Sequence, residues 1–114
     1  MLQDSWCLEN LVASHLLKYC HFTEDTEGDT CDLRYFRDND GREVDFIVVK
    51  NKKPIFMIEV KSSAKQISPH LLYLKKKFPS TPAFQVHLDG NIDYIGDEGI
   101  KVCPVWKFLF ELNV

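Results

Sequence analysis

Arg42-Glu43-Val44-Asp45-Phe46-Ile47-Val48-Val49 and Pro54-Ile55-Phe56-Met57-Ile58-Glu59-Val60-Lys61 decide how this sequence is read. Both are rich in β-branched and aromatic residues, and side chains alternate faces along a strand. Val44, Phe46 and Val48 are therefore expected on one face, matched by Phe56, Ile58 and Val60 on the next strand. The opposite face carries Glu43, Asp45, Ile47 and Val49 beside Ile55, Met57, Glu59 and Lys61. That face is apolar near the connecting turn and charged at the far end, so it is not simply the wet side of a sheet. A hairpin centred on Lys52 sets Asp45 opposite Glu59 and Glu43 opposite Lys61. Like charges directly opposed cost a sheet about 0.2–1 kcal/mol. Asp45 against Glu59 calls for a counter-charge, and a divalent cation such as Mg²⁺ supplies one. It takes few carboxylates and fills its shell with water and phosphate oxygens. Lys61, on the same face, reaches an anion held by that ion.

Working outward, a third strand is expected at Leu33–Arg37, before the turn Asp38-Asn39-Asp40-Gly41. Lys50-Asn51-Lys52-Lys53 separates the two quoted strands, and such short polar connections predict an antiparallel meander. Ahead of it, residues 5–21 read as an amphipathic helix with Ser5 as N-cap and apolar positions at Trp6, Leu8, Leu11, Val12, Leu16, Leu17 and Cys20. Residues 23–32, with five carboxylates and no base, are expected to be an acidic loop. After the meander, Ser68-Pro69 opens a second helix that stops before Pro79. Ala83–Leu88 reads as a buried strand, Ile92–Ile95 and Gly99–Val102 as weaker ones, and Pro104–Leu112 as a last helical segment. The expected fold is one α/β (α+β) domain with a mixed sheet: helix, three-stranded meander, helix, strand and a small C-terminal extension.

Glu9 falls in line with Trp6 and Val12, on the apolar stripe of the first helix. A carboxylate there is costly unless it is paired, solvated at the stripe edge or bound to a metal. It is a third candidate ligand beside Asp45 and Glu59.

The 114 residues, with 14 bases against 17 acids and a formal charge of −3, suit a single ordinary globular domain. No apolar run nears the roughly 18 residues that span a bilayer, and no signal peptide is visible, so a cytoplasmic protein is expected. No P-loop pattern is present, which speaks against nucleotide hydrolysis by this chain. Cys7, Cys20, Cys31 and Cys103 form no C-x-x-C pair, and Cys20-His21 with His15 matches zinc spacing poorly. Core or half-buried thiols and surface histidines in a reducing setting are expected. The overall acidity hides an asymmetry. Residues 42–77 hold nine bases and three acids, whereas the rest hold five bases and 14 acids. A basic block around the charged strand ends is where phosphate would be attracted, or it is a solvated helix face.

An Asp on one strand, Glu-x-Lys on the next and a Glu in the preceding helix together resemble the PD-(D/E)XK nuclease superfamily. Its restriction-endonuclease-like core has the same element order. The resemblance implies Asp45 and Glu59 as metal-binding carboxylates, Lys61 as the motif lysine and Glu9 as the helical acid; Val44 stands where the pattern has proline. Gln85 loosely matches a further polar position of the site. Glu9-Asn10-Leu11-Val12, Leu33-Arg34-Tyr35-Phe36-Arg37, Gly41 to Phe46, Ile58 to Lys61, Ser68-Pro69-His70-Leu71 and Pro104 to Leu112 are similar to one domain in particular. It is the C-terminal domain of unknown function that follows the AAA-type ATPase module in predicted bacterial and archaeal ATPases. That likeness implies a nuclease-like fold and an ATPase partner, with residues 1–114 forming the nuclease-like domain without the ATPase module. The activity that the resemblance implies is Mg²⁺- or Mn²⁺-dependent hydrolysis of a phosphodiester in nucleic acid, DNA being the expected partner. The alternative is an inactive module that docks or holds DNA for an ATPase. Glu43 is expected to partner Lys61, and Arg34 and Arg37 either contact phosphates or pair with the acidic loop.

Overall fold

The computed structural model describes residues 2–63 and 66–112, residues 2–5 by backbone only. Lys65 of the basic block lies outside the described residues.

Helix α1 spans Leu2–Glu27, so Ser5 lies inside it rather than capping it. Its buried side is Leu8, Val12, Leu16, Cys20 and Thr23, a run of i, i+4 and i+3 steps. Trp6, Leu11 and Leu17, expected on that stripe, are exposed. The helix also runs through much of the segment expected to be an acidic loop. Glu is a good helix former, and the buried Thr23 extends the stripe by one turn. Gly28, with φ +74°, ends the helix, and its N–H donates to Glu24 O at 3.0 Å. Acids near a helix C-terminus oppose its dipole; Lys50 offsets this by pairing with Glu27 and, at 3.5 Å, with Asp29.

The meander follows as β1 (Cys31–Arg37), β2 (Glu43–Lys50) and β3 (Lys53–Val60), all antiparallel. Next come α2 (Pro69–Lys77), β4 (Ala83–His87), β5 (Tyr94–Ile95), a 3₁₀ turn at Asp97–Gly99, β6 (Lys101–Pro104) and α3 (Val105–Leu112). One six-stranded sheet has the order β1-β2-β3-β4-β6-β5. β3, β4 and β6 run parallel, and β5 is antiparallel to β6. The fold is thus mixed α/β. The stretch expected to be a peripheral extension instead supplies β6, an interior strand whose Val102 and Cys103 are buried.

The sheet separates two cores. On one side Leu8, Val12, Leu16 and Cys20 of α1 and Val105 and Phe108 of α3 pack on Val48, Ile58, Val60 and Val86. Phe56 is the hub of that layer, in edge contact with Tyr19, Phe84 and Phe108 at centroid distances of 5.5–6.5 Å. On the other side Leu71 and Leu74 of α2 pack with Val44, Met57, Ala83 and Ile100. Ser68 caps α2, its hydroxyl accepting from Leu71 N at 3.4 Å, with Pro69 at the first helical position.

Candidate active site where two strands part

The β2–β3 register places Phe46 opposite Ile58, Ile47 opposite Met57 and Val48 opposite Phe56, as a hairpin centred on Lys52 requires. The turn itself is tighter. Lys50 pairs with Lys53, Asn51 and Lys52 take φ of 52° and 69°, and Ile55 is the extra residue of a bulge that restores the register.

A second bulge lies in β2. Arg34 pairs with Ile47 but Phe36 pairs with Val44, so Asp45 and Phe46 together oppose Tyr35. Alternation breaks there, which corrects the expectation that Val44, Phe46 and Val48 share a face. Val44 joins the α2-side core, whereas Phe46 packs on the α1-side core with Val48. The bulge likewise detaches Asp45 from the face of Ile47 and sets it where it borders the same cavity as Glu9 of α1.

Beside this bulge the β2–β3 backbone pairing gives way to carboxylates. The Asp45 N–H donates to Glu59 Oε1 at 3.1 Å, and the Val60 N–H donates to Asp45 Oδ2 at 2.8 Å. The Lys61 N–H donates across to Val86 O at 2.9 Å. The chain thus leaves β2 for β4 just where the two acids meet. Asp45, Glu59, Lys61, Glu9 and Glu43 line a cavity of about 330 Å³ together with Ser62 and His70. Every residue of the Asp, Glu-x-Lys and helical Glu set is therefore brought to one place.

Its electrostatics are those of crowded acids. Glu59 is buried, and burial first, then the Asp45 carboxylate, push its carboxyl up to about 8; the Ser68 hydroxyl and Lys61 pull the other way. Glu9 is also raised, by burial and then by Asp45, with Lys61 opposing. A cation in this cavity would offset both the burial and the Asp45 repulsion that raise Glu59 and Glu9. Among the described residues no three His, Cys, Asp or Glu side chains form a ready metal cage, which applies equally to the His15, Cys20 and His21 set. The donor set fits a hard ion that takes one or two carboxylates and keeps much of its water, as Mg²⁺ does, and not a four-ligand zinc site.

Glu43 and Gln85 depart from expectation, whereas Arg34 pairs with an acid of the 23–32 segment, one of the two roles expected of it. Glu43 pairs with Arg37 and not with Lys61: its Oε1 lies 2.5 Å from Arg37 Nη2 and 2.7 Å from Nε. Arg34 pairs at 3.4 Å with Asp32, on the solvent side. Gln85 is fully buried outside the acidic cavity; its Oε1 accepts from Ser68 N at 2.8 Å and its Nε2 donates to Gln66 O at 2.6 Å. It sits opposite Glu59 in the parallel β3–β4 register and pins the start of α2. The basic block is partly spent internally as well. Arg42 is held by Asp38 and Asp40, both at 3.0 Å, and covers the Tyr73 ring at 4.0 Å. Lys75 is buried, donating to Pro79 O and Thr81 O at 2.9 and 2.8 Å.

Sequence reasoning missed His70 as a site residue. Its Nδ1 lies 3.2 Å from both the amide nitrogen and the carbonyl oxygen of Glu43, and its tautomer decides which bond forms. A histidine in the first turn of a helix whose N-cap is already legible was the available signal.

Fold and site together define a mixed α/β domain with an acidic cavity at the parting of two central strands. The chain belongs to the family described as domain of unknown function DUF4143, whose model matches residues 6–108. Neither the curated proteins nor the solved structures return a match. Among the described residues no helix is long and apolar enough to cross a membrane.

Proposed function

We propose that this domain is a nuclease-like module of the PD-(D/E)XK kind, hydrolysing phosphodiester bonds in DNA with Mg²⁺ or Mn²⁺ and working beside an AAA-type ATPase. One observation carries the reading. Asp45 and Glu59, from strands that part between them, meet in a single cavity with Lys61 two residues on and Glu9 entering from α1. An acid cluster repels a phosphodiester, so without a cation this cavity is hostile to nucleic acid, and with one it is suited to it.

Asp45 and Glu59 would hold the ion, with Glu9 directly or through water. When bound, Mg²⁺ supplies a water of lowered pKa and neutralises charge on the phosphate. Lys61, exposed at the rim, orients a water or meets the charge that develops on the phosphoryl oxygens. Ser68 and the Asp45 amide hold Glu59 in place.

A second reading has its own support. Asp45 Oδ2 already satisfies the Val60 N–H and Glu59 Oε1 the Asp45 N–H, so the acids also serve as bridges in the sheet. An inactive module that docks on an ATPase or holds DNA would keep them for that purpose.

The deciding experiment is cleavage of labelled single-stranded, duplex and branched DNA with and without Mg²⁺, by the wild type and by Asp45→Ala and Lys61→Ala. Mg²⁺-dependent cleavage that disappears in both variants supports the enzyme. Equal cleavage by all three proteins rules the site out, and no cleavage with no Asp45-dependent metal binding favours the docking module.

A further inference from the structure

We propose that the cleft beside the acidic cavity, between α1 and the outer strand β1, binds one unpaired nucleotide of a single-stranded nucleic acid, its base stacked on Tyr35 and its phosphate on Arg37. The inference rests on the nuclease reading in that it names the form of substrate the site accepts.

The cleft has a volume of about 370 Å³ and is lined by Leu33, Tyr35, Arg37 and Phe46 together with Glu9 and Asp45. Glu9, Glu43 and Asp45 also line the acidic cavity, so the two spaces adjoin and a ligand in one borders the carboxylates of the other. Strand alternation puts Leu33, Tyr35 and Arg37 on one side of β1, and Leu33 packs toward the α1-side core. Tyr35 nonetheless stands 71 % exposed. The β2 bulge fixes its position, because Asp45 and Phe46 jointly oppose it. An aromatic face open to water is thereby held one cross-strand step from a metal-binding candidate.

The chemistry of the walls selects the occupant. A base stacked within a duplex hides its π-face, whereas an unpaired base offers it to an aromatic side chain regardless of sequence. Leu33 and Phe46 add apolar surface to the cleft, and Arg34 and Arg37 are its cations, facing the acids Glu9, Glu43 and Asp45. Arg37 pairs with Glu43, but both side chains are more than half exposed, 66 % and 52 %, and such pairs exchange readily for a phosphate.

The test is fluorescence anisotropy of the full chain, with Ca²⁺ in place of Mg²⁺, using a labelled single-stranded dodecamer and a blunt duplex of the same sequence. Adenosine monophosphate and inorganic phosphate serve as competitors. The single strand is expected to bind at least about tenfold more tightly than the duplex. Tyr35→Ala should weaken that binding about 5- to 150-fold, the range that removing a base–aromatic stack implies, and Tyr35→Phe should restore it. Equal affinity for strand and duplex, an unchanged Tyr35→Ala variant, or inorganic phosphate that competes as well as adenosine monophosphate overturns the proposal. Cleavage with Mg²⁺, measured separately, keeps the two readings apart. Tyr35-dependent strand binding without cleavage sustains this proposal and sinks the enzyme. Asp45-dependent cleavage with binding indifferent to Tyr35 does the reverse.

Discussion

Asp45 and Glu59 are joined through a backbone amide: the Asp45 N–H donates to Glu59 Oε1 at 3.1 Å, and the Asp45 carboxylate in turn accepts from Val60 N–H at 2.8 Å. Two acids that the strand register brings together thus replace the rungs of the ladder that they interrupt.

This arrangement separates the electrostatic from the structural role of Asp45. Asp45→Ala leaves the Val60 N–H, on a buried residue, without its acceptor, which should cost about 1–3 kcal/mol. Asp45→Asn keeps an oxygen for that bond and removes the charge facing Glu59, so metal-free stability should change little or rise. Both variants should lose Mg²⁺ binding. Urea unfolding and calorimetric titration check the two halves, and equal destabilisation by Ala and Asn would refute the structural role.

Glu59 makes stability depend on pH in an unusual direction. Its folded carboxyl titrates at about 8 against an ordinary 4.5, because of burial first and Asp45 second. Between those values the folded chain holds a proton that the unfolded chain has released. Metal-free stability should therefore be greatest below pH 4.5 as far as this group is concerned, fall as the pH rises to about 8, and level off beyond. At roughly 1.4 kcal/mol for each pH unit of separation, the change amounts to a few kcal/mol at most. Glu59→Gln should flatten the curve. Denaturant midpoints from pH 5 to 9 in EDTA measure it, and a wild-type curve parallel to that of Glu59→Gln would refute it.

Much of this was legible in the residues, and the exceptions have physical causes. The alternation of β2 and β3 and the short turns predicted the meander, and the charged strand ends predicted where Asp45, Glu59 and Lys61 converge. The β2 bulge was not legible, because Val44-Asp45-Phe46 has the pattern of regular alternation and only pairing with β1 reveals the extra residue. The length of α1 was missed because acidity was read as loop, while the buried Thr23 and the cation Lys50 make helix the better solution. Net charge by segment misled for a similar reason. Arg42, Lys50 and Lys75 count as bases in the sequence but spend their charge on Asp38, Glu27 and the Pro79 and Thr81 carbonyls.

Gln85 should matter to the site at a distance. Gln85→Leu fills the space but abandons the buried Ser68 N–H, which costs about 1–3 kcal/mol, and the carbonyl of the exposed Gln66. The start of α2 should loosen, taking with it the Ser68 hydroxyl that supports Glu59 and the His70 ring against Glu43. Unfolding midpoint and Mg²⁺ affinity should both fall. A variant as stable as the wild type with unchanged metal binding would show that Gln85 is a passive core residue.

Lys75, Lys76 and Lys77 are adjacent in sequence and should behave differently. Lys75→Met removes two charge-assisted bonds that close the end of α2, so it should lower stability by about 1.5–3 kcal/mol. It should leave the salt dependence of oligonucleotide binding unaltered, since a buried ammonium held by Pro79 O and Thr81 O is not offered to phosphate. Lys76 and Lys77 are exposed, and substituting them by Ala should change stability by less than about 0.5 kcal/mol. Any contribution they make to DNA binding should appear as a shallower salt slope, by about 0.7–0.9 for each phosphate that is no longer neutralised. Unfolding curves and binding at several salt concentrations, on the three single variants, separate these roles. A Lys75→Met protein of normal stability with a reduced salt slope would place that ammonium on the phosphate backbone instead.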